Sequence, residues 1–335
     1  MDYSLKARLL AQLGDGAGEI TNLAVSSHGR SIAIASAEIP LSFWHIPSYS
    51  LIKNIMLPQN VHSLTYSDDG QFLAAGLANG DVWIGTDEGE HLETIKQIGR
   101  ATLAFVPHSD VLAVVTWKGA LQLWQIQPPR PLFTHVFTTP KAEVHWQVSI
   151  ASDGSQIAST KGKQEALYLC QLNLLARQEI VQDYKQFSDL DIAYNSELHY
   201  HPTEQQLFFL RDKLYPNEIV GLDTQTGSCI SRIPLPRPGY YPGQFCFSPQ
   251  KDYIAVTDGN GNIVICCLKE QKAPGSFPAH RVKGDWSSQY RLTHAIQWVS
   301  SPLGTILLTA GWGQRMAEGK WRLPSVVKLW HLDLR

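Results

Sequence analysis

Charged residues are scarce in this chain. Only 17% of its 335 residues are Asp, Glu, Lys or Arg, and the formal net charge is −2. A large excess of one sign would indicate a nucleic-acid or membrane partner, and no such excess is present. The overall charge therefore predicts neither partner, and any preference of this kind must be local.

Long apolar runs and export signals are missing as well. The first residues, Met1–Lys6, contain no apolar core and no small-residue cleavage site. No later run reaches the roughly 18 apolar residues that a membrane-spanning helix needs. We therefore expect a soluble, cytoplasmic protein that does not insert into a membrane.

Cysteine is also infrequent, and its spacing matches no metal site. Most of the five cysteines lie in predicted strands, where we interpret them as reduced core side chains rather than as disulfide or metal ligands. The adjacent pair would point to opposite faces of its sheet. The five are Cys170, Cys229, Cys246, Cys266 and Cys267.

Familiar catalytic motifs are absent: there is no Gly-x-Ser-x-Gly, phosphate loop, His-Glu-x-x-His or Cys-x-x-Cys. His199 and His201 would share one face of a strand and could bind a metal together. Their segment, however, fits a first strand entering its turn, and we favour that structural role. Residues 259–262 predict a hairpin turn rather than a phosphate cradle, because no helix follows. We predict no catalytic residue, metal or cofactor.

Repetition is what the sequence has in abundance. An apolar strand, a turn near Asp-Gly, a second apolar strand and a third ending near Trp recur seven times, about 40 to 50 residues apart. The turns lie at Gly29, Gly70, Ser109, Gly154, Glu204, Lys251 and Gly304. Corresponding positions in the third strands are Trp44, Gly85, Trp124, Cys170, Leu222, Cys266 and Trp330.

The second repeat shows the pattern most clearly. Its predicted strands are 61–66, 71–77, 81–85 and 91–95, with turns at 67–70 and at Asn79-Gly80. Asn-Gly between alternating runs predicts a type I′ hairpin with positive φ at both positions. Leu121–Trp124 and Val327–Trp330 carry the same third-strand pattern in other repeats.

This period and these third strands resemble the WD40 family of β-propellers over nearly the whole chain. The resemblance implies an all-β fold: a seven-bladed β-propeller of four-stranded antiparallel blades in a single domain, residues 1–335. No Trp-Asp or Gly-His dipeptide occurs, so the family's buried hydrogen-bond tetrad would be absent or rebuilt in a divergent member. The predicted blades are 20–57, 61–97, 101–138, 143–182, 197–233, 243–278 and 293–335, the last joined by 3–13.

An N-terminal strand would complete the last blade. The last repeat stops at its third strand, residues 326–332, while the leading segment alternates Leu5, Ala7, Leu9, Ala11 and Leu13 with mostly polar residues. We predict that this segment supplies the missing fourth strand and closes the sheet edge. A short amphipathic helix is the alternative, because Leu5, Leu9 and Leu13 are also four residues apart.

Extra residues are concentrated in later repeats, where a fixed blade framework would force them into loops. The lengthened second-to-third connections are 161–165, 211–217 and 311–325, and the lengthened connections before first strands are 183–197, 234–244 and 280–293. In a propeller both classes emerge at one end, so we expect them to form one face over blades 4 to 7.

These six segments contain twelve cationic and eight acidic residues, with aromatic residues among them. Arg, Trp and Tyr dominate interface hot spots, so the face would suit an acidic or phosphorylated partner segment. Ordinary solvated loops are the alternative. The candidate partner-binding residues are Arg211, Tyr215, Arg237, Tyr240, Tyr241, Arg281, Trp286, Tyr290, Trp312, Arg315, Trp321 and Arg322.

Three functions follow as hypotheses. The resemblance to WD40 proteins implies a non-catalytic scaffold for other proteins, and we favour it over the rest. A propeller enzyme of the hydrolase or lyase type, with its site at the channel mouth, is the alternative. Single-stranded nucleic-acid binding by the basic, aromatic face is a third and less favoured hypothesis.

Overall fold

The computed structural model describes most of the chain. The described residues are 5–13, 20–36, 41–136, 146–161, 164–173, 181–187, 190, 192, 197–211, 218–235, 244–258, 261–280, 293–312 and 325–334. Within these ranges no helix is long and apolar enough to cross a membrane.

All regular structure in the described ranges is β-strand. Seven four-stranded sheets are present, and their printed strand pairs run antiparallel, as in β10–β13. The chain is therefore an all-β, seven-bladed β-propeller, as predicted. The central strands are buried along their whole length, as in β3 and β11, because both of their faces are covered, whereas the outer strand β5 is largely exposed.

Three of these sheets pack into one compact unit. Within it, each sheet is named by its strands in the order in which they are hydrogen-bonded. The first sheet is β1 (Leu5–Leu13), β28 (Ser325–Leu334), β27 (Gly304–Trp312) and β26 (Thr293–Ser301); the second is β2 (Ile20–Val25), β3 (Ser31–Ser36), β4 (Leu41–His45) and β5 (Ser50–Ile55); the third is β22 (Phe245–Phe247), β23 (Tyr253–Thr257), β24 (Asn262–Cys267) and β25 (Lys272–Pro278).

The other four sheets pack into a second compact unit. They are β6 (Val61–Tyr66), β7 (Phe72–Leu77), β8 (Val82–Thr86) and β9 (His91–Ile95); β10 (Ala101–Phe105), β11 (Val111–Thr116), β12 (Ala120–Ile126) and β13 (Pro129–Val136); β14 (Trp146–Ile150), β15 (Gln156–Lys161), β16 (Gln164–Leu172) and β17 (Val181–Phe187); and β18 (Leu198–Tyr200), β19 (Gln206–Arg211), β20 (Glu218–Asp223) and β21 (Cys229–Pro234). The assignment of the whole chain to one domain stays a prediction.

The N-terminal segment is a strand, so the predicted closure is confirmed and the helix alternative is wrong. β1 pairs antiparallel with β28 from Leu5↔Leu334 to Leu13↔Val327. A bulge between Leu9 and Ala11 interrupts the register. The predicted alternation fails there, because Leu9 is 45% exposed while Leu10 packs against the core in its place.

The first hairpin of six sheets closes in the same way. The N–H of Ser26 donates to the C=O of Ser31 at 2.9 Å, five residues on. Equivalent bonds join residues 67 and 72, 106 and 111, 151 and 156, 201 and 206, and 248 and 253. Most predicted turn positions adopt positive φ, namely Gly29, Gly70, Gly154, Lys251 and Gly304, whereas in the third repeat it is His108 rather than Ser109 that does so.

The Asn79-Gly80 hairpin differs from the prediction, because positive φ occurs at Gly80 (+87°) but not at Asn79. The N–H of Gly80 donates to the C=O of Leu77 at 2.9 Å, which defines a three-residue loop ending in a glycine bulge. The Asn79 Oδ1 accepts a 3.1 Å bond from the N–H of Asp81. This bond from a side chain to the backbone two residues on favours the observed turn over type I′.

The predicted third-strand series coincides with a repeated β-bulge. The pairing between third and fourth strands shifts register at Trp44, Gly85 and Trp124. It shifts beside Cys170 and Cys266 in two further sheets. Because a bulge increases local twist, the fourth strand of each of these sheets is expected to bend at the same point while it stays paired.

A buried hydrogen-bond network joins the end of β25 to the last sheet. Trp330 Nε1 donates to Thr309 Oγ1 at 3.0 Å, and His280 Nε2 lies 2.9 Å from the same hydroxyl. His280 and Thr309 are both fully buried. Since a hydroxyl can donate and accept, either histidine tautomer completes the contact. The network forms although His280 follows Ala279 and Trp330 precedes His331, so neither dipeptide of the family is present.

A lysine reinforces this junction. Lys328 Nζ donates to the C=O of Ala279 at 2.8 Å, and its ammonium group lies 5.9 Å from the centroid of the Trp330 ring. Burial lowers the pKa of Lys328, so the carbonyl and the ring offset part of the cost of removing the charge from water.

Four of the five cysteines confirm the interpretation as core side chains. Cys170, Cys246, Cys266 and Cys267 are buried and none forms a disulfide. Burial raises the pKa of Cys170 and of Cys266 to about 12, so both thiols stay protonated. The interpretation is wrong for Cys229, which is exposed because it begins the outer strand β21.

Replacing Thr309 with valine should destabilise the fold. The change keeps the shape of the side chain but removes the hydroxyl that accepts from Trp330 Nε1, while His280 Nε2 keeps the Thr309 carbonyl 3.3 Å away. A buried polar group left unsatisfied costs about 1 to 3 kcal/mol, so we expect the free energy of unfolding, measured by denaturant titration, to fall by about 1 to 3 kcal/mol.

Thr305→Val is the matched control on the same strand. Thr305 bonds only the exposed side chain of Gln250 in the described structure, so the expected loss is about 0.5 kcal/mol or less. Equal losses in the two variants would show that the buried network contributes nothing particular to stability.

Candidate functional site

The predicted partner-binding face lies mostly beyond the described ranges. Arg211 ends β19, is partly buried, and pairs its backbone with Ile192. Trp312 ends β27 opposite Ser325. Both therefore stand where a connection leaves a strand, as predicted. The other ten candidates lie outside the described residues: Tyr215, Arg237, Tyr240, Tyr241, Arg281, Trp286, Tyr290, Arg315, Trp321 and Arg322.

Strand residues occupy part of two predicted loop insertions: 161 and 164–165 of the first, and 183–187 of the segment 183–197. β15 continues to Lys161 and β16 begins at Gln164, so only residues 162–163 separate them. β17 continues to Phe187, beyond the predicted blade end at 182, and includes Lys185. Lys185 Nζ donates to the C=O of Gln225 at 3.3 Å. Polar side chains on these strands have the composition of a loop, which explains why their ends were included in the predicted insertions.

The two histidines considered as metal ligands have separate structural contacts. His199 Nε2 lies 3.1 Å from a Glu197 carboxylate oxygen. His201 is 8% exposed and stands at the hairpin position that serine occupies in three other sheets. Its Nδ1 lies 3.4 Å from the backbone nitrogen of Thr203. No group of three or more His, Cys, Asp or Glu side chains that could hold a metal occurs in the described part of the chain.

A cationic and aromatic pair that is not among the predicted site residues lies at one end of the β10–β11 hairpin. The register pairs Ala101 with Thr116, which places Arg100 directly opposite Trp117. The N–H of Trp117 donates to the C=O of Arg100 at 2.8 Å. The Arg100 guanidinium carbon lies 5.3 Å from the centroid of the Trp117 ring, within the range of a cation–π contact.

A close approach between two glycines positions Arg100. The N–H of Gly99 donates to the C=O of Gly80 at 3.0 Å, and a Cβ on Gly80 would lie 2.7 Å from the Cα of Gly99. The connection before β10 therefore rests on the β7–β8 turn, where Arg100 Nε donates to the C=O of Ala78 at 3.4 Å. Arg100 is held at both its backbone and its guanidinium group.

The carboxylate of Asp81 also holds the connection before β10 in place. Its side chain accepts bonds from Lys96 Nζ and the Gln97 N–H, both at 3.0 Å, and from Asn79 Nδ2 at 2.9 Å. Burial opposes its ionisation, but these hydrogen bonds outweigh burial and lower the pKa of Asp81. Asp81 is therefore ionised and already engaged, so it does not neutralise Arg100.

His62 packs behind this pair. Its ring centroid lies 5.6 Å from that of Trp117, with the two planes tilted by 47°. Burial, and then the positive charge of Arg100, lower the pKa of His62, so the imidazole is neutral near pH 7. Its Nε2 is buried without a hydrogen-bond partner among the described residues. The cluster of His62, Arg100 and Trp117, termed here the Arg100 cluster, thus carries one fixed positive charge.

The geometry of the Arg100 cluster suits recognition of an anion. Arg100 is exposed, and in the described structure its guanidinium group makes only the bond to Ala78 and the contact with Trp117. Its two terminal nitrogens can therefore form the paired hydrogen bonds that guanidinium makes with planar anions. Exposed Lys118 follows Trp117 and adds a second positive charge nearby.

The sequence contained a usable indication of this cluster. Arg100 directly precedes one strand and Trp117 directly follows the next, so an antiparallel hairpin whose outer ends are aligned places them opposite each other. The residues predicted to bind a partner lie in the long connections of later repeats, whereas this hairpin is compact. His62 had no comparable indication, because its contact depends on the packing of β6 beside β10.

Substituting the two glycines should have unequal effects. Both have positive φ, +87° at Gly80 and +94° at Gly99, and alanine in such a conformation costs about 1 to 3 kcal/mol. A Cβ on Gly99 meets open space, whereas one on Gly80 collides with the Gly99 backbone. We expect Gly80→Ala to lower the free energy of unfolding by at least about 1 kcal/mol more than Gly99→Ala. Equal losses in denaturant titration would contradict the close approach.

Replacing Arg100 should raise the pKa of His62. Arg100→Gln removes the positive charge but leaves the burial of the imidazole, which is the larger cause of the low value. The pKa should therefore rise while staying below that of an exposed histidine, as measured by NMR titration of the imidazole signals. Arg30→Gln, at an exposed arginine of the β2–β3 turn, should leave it unchanged. If Arg100→Gln left the pKa of His62 unchanged, the close approach of the Arg100 charge to the imidazole would be contradicted.

Comparison with known proteins supports the fold and no family. No protein-family model matches the chain, and no curated protein matches it either. A chain in the crystal structure of the mitotic checkpoint complex matches with a TM-score of 0.67 and 20% sequence identity, over 97% of this chain and 90% of that one. At this identity the likeness shows the fold alone. Since 1673 chains of solved structures match, the fold is too widespread to specify a function.

Proposed function

We propose that this chain is a non-catalytic scaffold that binds other proteins. The observation that carries the proposal is the likeness of the seven-bladed fold, over 97% of the chain, to a component of a crystallised complex, the mitotic checkpoint complex. A framework of packed blades presents its connections as a broad surface, and such surfaces are used for protein recognition in repeat folds. The repeats and third strands also support a divergent member of the WD40 family.

The partner segment is acidic or phosphorylated and binds the elaborated loops of blades 4 to 7. The six predicted segments there carry four more cationic than acidic residues. Arginine forms bidentate bonds with carboxylate and phosphate, and tryptophan and tyrosine supply contact area. Arg211 and Trp312, at the ends of β19 and β27, mark where two of these connections begin.

Affinity isolation from native cells tests the proposal. The tagged chain is compared with a variant in which Trp312, Arg315, Trp321 and Arg322 are all replaced by alanine, and bound proteins are quantified by mass spectrometry. We expect a partner at fixed stoichiometry with the native sequence and a loss of at least tenfold with the variant, because loss of several hot-spot residues removes several kcal/mol.

A control variant replaces four exposed apolar residues on or beside outer strands: Leu51, Ile52, Met56 and Leu92. It should retain the partner, and both variants must unfold at the denaturant concentration of the native protein. A partner that survives in both variants would reject the loop face while keeping the scaffold. The absence of any stoichiometric partner would reject the scaffold itself.

A further inference from the structure

We propose that Arg100 and Trp117 bind a carboxylate side chain of an acidic partner segment. The site lies in the third repeat, outside the six segments predicted to bind the partner, and so would be a second contact for a bound protein. The inference rests on the proposed function only in requiring a protein partner.

Arg100 is organised before any ligand arrives. Its backbone carbonyl is held by the N–H of Trp117, its Nε by the C=O of Ala78 and its guanidinium plane by the Trp117 ring. An arginine on a free surface loses side-chain entropy when it binds, and these three contacts have already restricted the side chain. The restriction leaves its terminal nitrogens available for a planar, two-oxygen acceptor.

The local charge is suited to one carboxylate. The nearby Asp81 is occupied by Lys96, Gln97 and Asn79, so it does not serve as the acceptor. His62, behind the ring, adds no charge near pH 7 because burial and Arg100 lower its pKa. One anchored guanidinium and one exposed lysine therefore face solvent without a described acidic counterpart.

A carboxylate fits better than a stacked base. The guanidinium group of Arg100 lies over the Trp117 ring, and His62 contacts the same ring. A nucleic-acid base would need an open ring face for stacking. A carboxylate needs only the outer edge of the guanidinium group and leaves the ring contact intact. Apolar carbons of an acidic segment can then pack against the rim of the indole.

Peptide titration followed by NMR provides the test. The probe is the peptide acetyl-Ser-Glu-Glu-Glu-Ser-amide, and the readout is the indole N–H signal of Trp117, assigned with a Trp117→Phe variant. We expect a saturable shift of this signal with the glutamate peptide and none with the glutamine analogue. Arg100→Gln should weaken binding about tenfold or more, because a charge-assisted bidentate contact is lost.

Arg100→Lys and Arg30→Gln are the matched controls. Lysine keeps the positive charge but lacks the two parallel N–H donors of guanidinium, so Arg100→Lys should bind the peptide less tightly than the native protein. Arg30→Gln should bind the peptide as the native protein does. The proposal is overturned if the Trp117 signal does not respond at millimolar peptide or if Arg100→Gln binds normally. Tenfold tighter binding of the phosphoserine analogue would reassign the site to phosphate. Because these outcomes need no cellular partner, they are distinguishable from failure of the scaffold.

Discussion

The pairing of β1 with β28 is the constraint on which the sheets around it depend. Without β1, the outer edge of β28 would expose a row of unpaired backbone groups. With it, Leu5 and Ala7 enter the apolar cluster that contains Phe277, while Leu13 enters the cluster shared by β2, β27 and β28. One strand thus supplies side chains to both faces of its sheet. The bulge between Leu9 and Ala11 makes this possible, because it changes which residues face inward.

The same pairing supports the buried polar network. Leu9 lies opposite Trp330 in the ladder, so β1 covers the strand whose indole nitrogen bonds Thr309. Exclusion of water strengthens the bonds among His280, Thr309 and Trp330 and raises the cost of breaking any one of them. Backbone closure and side-chain bonding are therefore not independent contributions. A substitution that weakens the pairing of β1 with β28 would also expose this network to water.

Most of the fold could be predicted from the sequence because its periodicity depends on short-range backbone preferences. Turn residues such as Gly29 and Gly70 must adopt positive φ, which favours glycine. Strand residues either alternate between apolar and polar or, in fully buried strands, are all apolar. Both requirements therefore appear as a pattern of residue types in the sequence. Trp44 and Trp124 were recognisable as repeat positions, but the bulge beside each was not. Register shifts depend on how a fourth strand packs, which a pattern of residue types does not encode.

The candidate site could be predicted only in part, for a related reason. Residues in long connections attract attention because their composition is unusual, yet composition does not say which side chains meet. Arg100 and Trp117 meet because antiparallel register places them opposite each other, and Gly80 and Gly99 bring the supporting carbonyl of Ala78 within reach. The pairing of Arg100 with Trp117 can be predicted from where the two strands end. The position of the Ala78 carbonyl cannot, because it depends on a backbone contact between two hairpins. A compact hairpin in this fold thus brings a cationic and an aromatic side chain together without a long loop.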